Sequence, residues 1–69
     1  MNHYAGSISF DNGNHEWEDQ IVTAFEYDTL VEKMIDLKSK RKNATVHFAV
    51  LKMGKKEFDI TEKVRNAVS

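Results

Sequence analysis

Asp28-Thr29-Leu30-Val31-Glu32-Lys33-Met34-Ile35-Asp36-Leu37-Lys38-Ser39-Lys40-Arg41-Lys42 is the one long stretch of this chain whose apolar residues recur at helical spacing. Leu30, Val31, Met34, Ile35 and Leu37 fall on one stripe, with Glu32, Lys33, Asp36, Lys38 and Lys40 largely off it. That is the pattern of an amphipathic helix, which needs an apolar surface to lie on. Thr29 followed three residues later by Glu32 has capping-box spacing, in which each side chain satisfies the other's free backbone N–H, and it predicts the helix start. Lys38, Lys40, Arg41 and Lys42 crowd the last turn and its exit, where cations meet the negative end of the helix dipole.

The sequence on either side supplies a sheet. Upstream, Tyr4, Ile8 and Phe10 alternate with Ser7 and Ser9, the period of a half-buried strand. Asp11-Asn12-Gly13-Asn14 follows, and Asn-Gly is the preferred pair for a two-residue type I′ hairpin loop, because both positions need positive φ. With Asn12 and Gly13 as the loop, Phe10 faces His15, Ile8 faces Trp17 and Tyr4 faces Ile21. The apolar residues of both strands then share the face that receives the helix. The second strand runs on through Thr23 and Phe25 and presents Glu16, Glu18 and Glu26 outward, a charge pattern suited to a sheet edge.

Downstream, Ala44-Thr45-Val46-His47-Phe48-Ala49-Val50-Leu51 is rich in β-branched residues and reads as a third strand. Gly54 marks a turn, Phe58 and Ile60 a short fourth strand, and Asp59 or Thr61 the cap of a closing helix carrying Val64, Ala67 and Val68. A loop of two or four residues sets Phe58 opposite Leu51, and an odd loop sets it opposite Val50. Strand three is apolar on both faces, with Val46, Phe48 and Val50 on one and Ala49, Leu51 and Met53 on the other. The closing helix or a second copy of the chain must therefore cover the face that the long helix leaves open. Short, un-knotted connections favour strand order 2-1-3-4, all antiparallel. The expectation is a single α+β domain over residues 1–69, ββαββα, with a four-stranded antiparallel sheet, one long helix on one face and a short C-terminal helix.

Sixty-nine residues bury only about 60% of the surface the unfolded chain exposes, so the core is thin. There is no cysteine for a disulfide or a thiolate metal site, no apolar run of membrane-spanning length and no signal-peptide pattern at the N-terminus. These features point to a cytoplasmic protein without membrane association. The net charge of −1 conceals an asymmetry: residues 1–32 hold seven acids and no Lys or Arg, and residues 33–69 hold ten bases and four acids, giving −7 and +6. Charge segregation of this size points to an interaction surface unless folding interleaves the halves.

Catalysis needs an acid, base or nucleophile held against a partner that tunes it. Of the three histidines, His47 sits mid-strand and reads as a packed or rim residue, while His15 with Glu18 or Asp19 offers at most two ligands to a metal, too few for a site. No serine lies in a nucleophile elbow and no glycine-rich loop precedes a helix. The expectation is a non-enzymatic protein with neither cofactor nor metal. Two binding surfaces remain. Glu16, Glu18, Asp19, Glu26 and Asp28 form an acidic edge for a basic surface on another protein or on a second copy in a homodimer, where charge complementarity sets specificity and association rate. Trp17 pairs with Ile8 in the core on this register; exposed, it would be an interface anchor. The alternative is nucleic-acid binding by Lys38, Lys40, Arg41 and Lys42. Lys52, Lys55 and Lys56 fall at the opposite end of strand three, which argues against one phosphate-tracking groove.

A polar-turned hairpin, one helix and a further strand in so short a chain is similar to the layout of many small phage-encoded proteins that bind and inhibit host machinery. Gly6-Ser7-Ile8-Ser9-Phe10-Asp11-Asn12 followed by Trp17 is similar to the opening of one such inhibitor of bacterial RNA polymerase. The likeness covers that opening stretch alone, implies a protein-binding or inhibitor role of phage or mobile-element origin, and lends no residue its function.

Overall fold

In the computed structural model, which describes residues 2–69, alternation builds the sheet and the 3.6-residue stripe builds the helix. The elements run β1 (Asn2–Asp11), β2 (Trp17–Ala24), α1 (Tyr27–Lys40), β3 (Lys42–Met53), β4 (Lys56–Asp59) and α2 (Thr61–Val68). The four strands form one antiparallel sheet of order β2-β1-β3-β4, as expected from the connectivity. α1 crosses from the outer strand β2 to β3 on the far side of β1.

Both helices lie on the same face. Ile8, Leu30, Met34, Ala49 and Val64 are fully buried, and Phe10, Val22, Ala24, Ala44, Val46 and Val68 complete the cluster. α1 turns Leu30 and Met34 into it, Val31 and Leu37 pack at its border, and Ile35 is 45% exposed. The helix begins at Tyr27, two residues before the predicted cap; its N-cap is Glu26, with no side-chain cap bond, so the Thr29–Glu32 box does not form. Tyr27 packs against the core and meets Tyr4 edge-to-face at 6.0 Å. Its burial extends the helix over the turn that Thr29 was expected to cap.

The first hairpin departs from expectation. Asn12 N–H donates to the Glu16 carbonyl at 3.0 Å, closing a loop of Gly13, Asn14 and His15 in place of Asn12-Gly13 alone. The Asp11 and Asn12 side chains accept from the Gly13 and Asn14 amides at 2.8 and 2.9 Å, and Gly13 and His15 take φ of 90° and 64°. These side-chain turns compete with the type I′ geometry and win. Gly6 therefore pairs with Val22, Ser7 with Ile21, Ile8 with Gln20 and Asp11 with Trp17. An odd shift exchanges the faces of β2. Val22 and Ala24 enter the core, while Trp17 and Ile21 leave it, so the expected Ile8–Trp17 and Tyr4–Ile21 pairs are both overturned.

β3 also changes face part-way. The partner of Ser7 is Phe48 and that of Ile8 is Val46, so His47 is the extra residue of a bulge. Val46 thereby joins Ala49 and Leu51 on the helix face, and Phe48 and Val50 turn to the other, where unbroken alternation had kept Val46 with them. The Val46 carbonyl beside the bulge accepts from an Arg65 guanidinium nitrogen at 3.0 Å. A second irregularity precedes Ala44, where Asn43 has φ 54°. In the second hairpin Leu51 faces Phe58 and Met53 faces Lys56, the even-loop alternative, with Gly54 at φ 61° in the first loop position as a type II′ turn requires.

α2 is tied to β3 where β4 ends. Ile60 N–H donates to the Ala49 carbonyl at 2.9 Å, and Ala49 N–H donates to Thr61 Oγ1 at 3.1 Å. The Thr61 hydroxyl and amide donate to Asp59 Oδ1 at 2.6 and 2.9 Å, and they hold the Asp59 carboxyl below its ordinary pKa. Asp59 thus stabilises the fold above its unfolded-state pKa, and that contribution is lost as pH falls through its folded pKa. Thr61→Ala leaves the Ala49 amide without its acceptor and should cost about 1–3 kcal/mol. Urea unfolding will measure the loss, and carbon-detected NMR titration should show Asp59 moving back toward an ordinary carboxyl.

Candidate functional site

With α1 and α2 on one side of the sheet, its other side carries no helix. The closing helix was one of two candidates to cover that side; it packs beside α1 instead, with Lys63 Nζ 4.8 Å from the Tyr27 ring. On the uncovered side the register sets Ile21 and Phe48 on either flank of Ser7. Between them Ser7 is only 1% exposed, and its hydroxyl has no hydrogen-bond partner. Trp17 stands further along β2 at 63% exposure and Ile21 at 61%. A tryptophan side chain offers about 200 Å², so these residues leave a few hundred Å² of apolar surface in water, the extent that marks interaction sites.

The five acidic residues do not form one row. Glu16 closes the loop opposite Asn12, Glu18 lies opposite Phe10 and Asp19 opposite Ser9, whose hydroxyl donates to the Asp19 carboxylate. Glu26 is the N-cap of α1 and Asp28 lies in its first turn, where a carboxylate meets the positive end of the helix dipole. Glu16 and Asp19 therefore flank Trp17 at one end of the edge strand, Glu18 shares the helix face with Phe10 and the Lys40–Lys42 depression, and Glu26 and Asp28 sit beyond the strand's other end. Among the described residues the ion pairs are Lys40–Asp36 and Arg65–Glu62, so none of these five carboxylates is neutralised by a salt bridge. Asn12 Nδ2 donates to Glu18 Oε1 at 3.3 Å.

The basic run is differently engaged. Lys40 pairs with Asp36 at 3.0 Å and the Arg41 guanidinium lies 5.0 Å from the Phe10 ring centroid. Lys40, Arg41 and Lys42 line a depression shared with Asp11 and Glu18, so carboxylates stand among the cations where a phosphate would need to approach. Lys38, in the last turn of α1, is exposed. Lys52, Lys55 and Lys56 lie at the far end of β3 from Lys42, and the two basic clusters stay apart as expected. No group of three metal-ligating side chains occurs among the described residues, and no helix there is long and apolar enough to cross a membrane.

What sequence reasoning missed is the exposure of Trp17 and Ile21. The available signal was in β2 itself: Trp17, Asp19, Ile21 and Thr23 alternate with Glu18, Gln20, Val22 and Ala24, and either set could face the core. Comparison with protein-family models, with curated proteins and with solved structures finds no match to this chain.

Proposed function

We propose that this chain is a small non-enzymatic protein-binding or inhibitor module that works through its acidic β-hairpin edge, of the kind phages and mobile elements encode. The observation that carries the reading is Trp17, 63% exposed on the helix-free face of an edge strand and flanked by Glu16 and Asp19. An exposed tryptophan beside unneutralised charge has the make-up of an interface anchor with a steering rim. Nucleic-acid binding by the helix end gains no such support, since Asp11, Glu18 and Asp36 stand among its cations.

The test compares capture from host extract by the wild-type chain and by Trp17→Ala. Trp17 lies outside the buried core, so the variant should keep its fold by circular dichroism. We expect a protein retained by the wild type and lost, by about tenfold or more in affinity, from Trp17→Ala. Equal retention by both chains would remove the acidic edge as the functional surface.

A further inference from the structure

The outer edge of β2 leaves a run of main-chain groups without a strand partner. In an antiparallel strand, alternate residues turn both N–H and C=O the same way. The bond from Asn12 N–H to the Glu16 carbonyl places the even-numbered residues of β2 on the β1 side. Independently, Lys33 Nζ reaches the Thr23 carbonyl at 2.9 Å from α1, which requires the odd-numbered residues to face outward. Trp17, Asp19 and Ile21 therefore present their ladder groups to solvent, and their side chains stand on the helix-free face.

Sheet edges are commonly blunted by charged side chains, proline or a bulge, and the charges of β2 itself, Glu18 and Asp19, are of one sign, so they discourage acidic strands and not basic ones. β2 contains neither lysine nor proline, and its pairing with β1 is without a register shift. The opposite edge, β4, has four residues and a lysine. On its helix side the β2 edge borders a groove, with Gln20 and Val22 on one wall and Asp36 and Leu37 on the other, closed at the Thr23 end by Lys33, whose ammonium is held on the Thr23 carbonyl. A strand laid along β2 would thus place alternate side chains against Trp17 and Ile21 and into this groove.

We infer that the outer edge of β2 takes up an extended, basic peptide segment of another protein as a fifth strand. The inference rests on the protein-binding reading above and supplies the partner's chemistry. Main-chain bonds to Trp17, Asp19 and Ile21 give the pairing, and the two rows of side-chain contacts give selectivity. Charge selects the occupant: Glu16, Glu18 and Asp19 lie at this edge, so a lysine- or arginine-bearing strand is attracted and an acidic one repelled. The same argument disfavours a second copy. Any two-fold pairing of β2 with itself through these positions sets Asp19 opposite its counterpart or within two residues of it on one face, where like charges are destabilising.

The probes are dye-labelled synthetic peptides in which lysine alternates with valine, and a matched set with glutamate for lysine, followed by fluorescence anisotropy and amide NMR. The basic peptide should bind, more weakly as salt rises, with amide perturbations centred on Trp17, Asp19 and Ile21. Ile21→Pro removes one outward N–H and keeps the β1 ladder, as edge strands tolerate, and should weaken binding by about tenfold or more. Asp19→Lys, which leaves the backbone intact, should shift preference toward the acidic peptide. Equal binding of both peptides, full affinity in Ile21→Pro, or perturbations confined to the Lys40–Lys42 end would overturn strand addition, as would a sedimenting dimer with β2 amides protected. Trp17-dependent capture of a host protein alongside any of these results would leave the protein-binding reading standing, and loss of that dependence alone would remove the reading itself.

Discussion

Gly6→Ala should cost about 2–3 kcal/mol of stability, the largest effect expected from adding one carbon to this protein. Gly6 is at the middle of β1, between β2 and β3, where α1 lies against the sheet. A Cβ built there meets the Met34 Cε within contact distance and the Phe48 carbonyl oxygen at 2.9 Å. The methionine end can swing aside. The carbonyl belongs to the backbone of β3, so relief requires the strands to separate or α1 to lift. Overpacking of a tight core costs typically 1–3 kcal/mol, and the backbone contact places this case in the upper part of the range. A chain of 69 residues has a total stability of about 3–10 kcal/mol. The substitution should therefore lower the urea midpoint sharply, and Gly6→Val should abolish cooperative unfolding. An unchanged midpoint in Gly6→Ala would mean that α1 does not approach β1 this closely.

Leu30→Ala should cost about 2–5 kcal/mol. Leu30 is 0% exposed, and its removal leaves a cavity that α1, β2 and β3 are too constrained to fill. Ile35→Ala is the internal control. It lies on the same sequence stripe but is 45% exposed, and it should lose less than about 1 kcal/mol. The contrast reads the rotation of α1 directly: equal losses at the two positions would place Ile35 against the sheet and displace Leu30. The pair also separates stability from binding, since neither residue contributes to the β2 edge.

Much of the architecture was legible in the residues. The stripe of Leu30, Val31, Met34, Ile35 and Leu37 gave the helix and the side it buries, apart from Ile35, which stays in water. The β-branched run from Ala44 to Leu51 gave β3, Gly54 gave the second turn, and short connections gave the order 2-1-3-4. These signals are local: a helical period or a glycine at a tight turn acts through neighbours a few residues away. The cap at Thr29 failed because burying Tyr27 against Tyr4 and the core favours an earlier start, and that burial is a long-range contact.

The candidate site was legible in its charges but not in its geometry. The sequence by itself determined that acids concentrate before residue 33 and that Trp17 falls among them. Only the tertiary structure decided which side of the sheet Trp17 occupies. β2 offers two alternating sets of comparable apolar content, and strand periodicity is satisfied by either. The Asp11 and Asn12 side-chain turns admit the odd register, and the core beneath α1, where Gly6, Ala24 and Ala49 let the helix come close, takes up Val22 as the larger residue of β2. On β3 the His47 bulge likewise puts Val46 inside and leaves Phe48 out. A strand's alternation states which residues go together, and the space under the helix decides which group goes in.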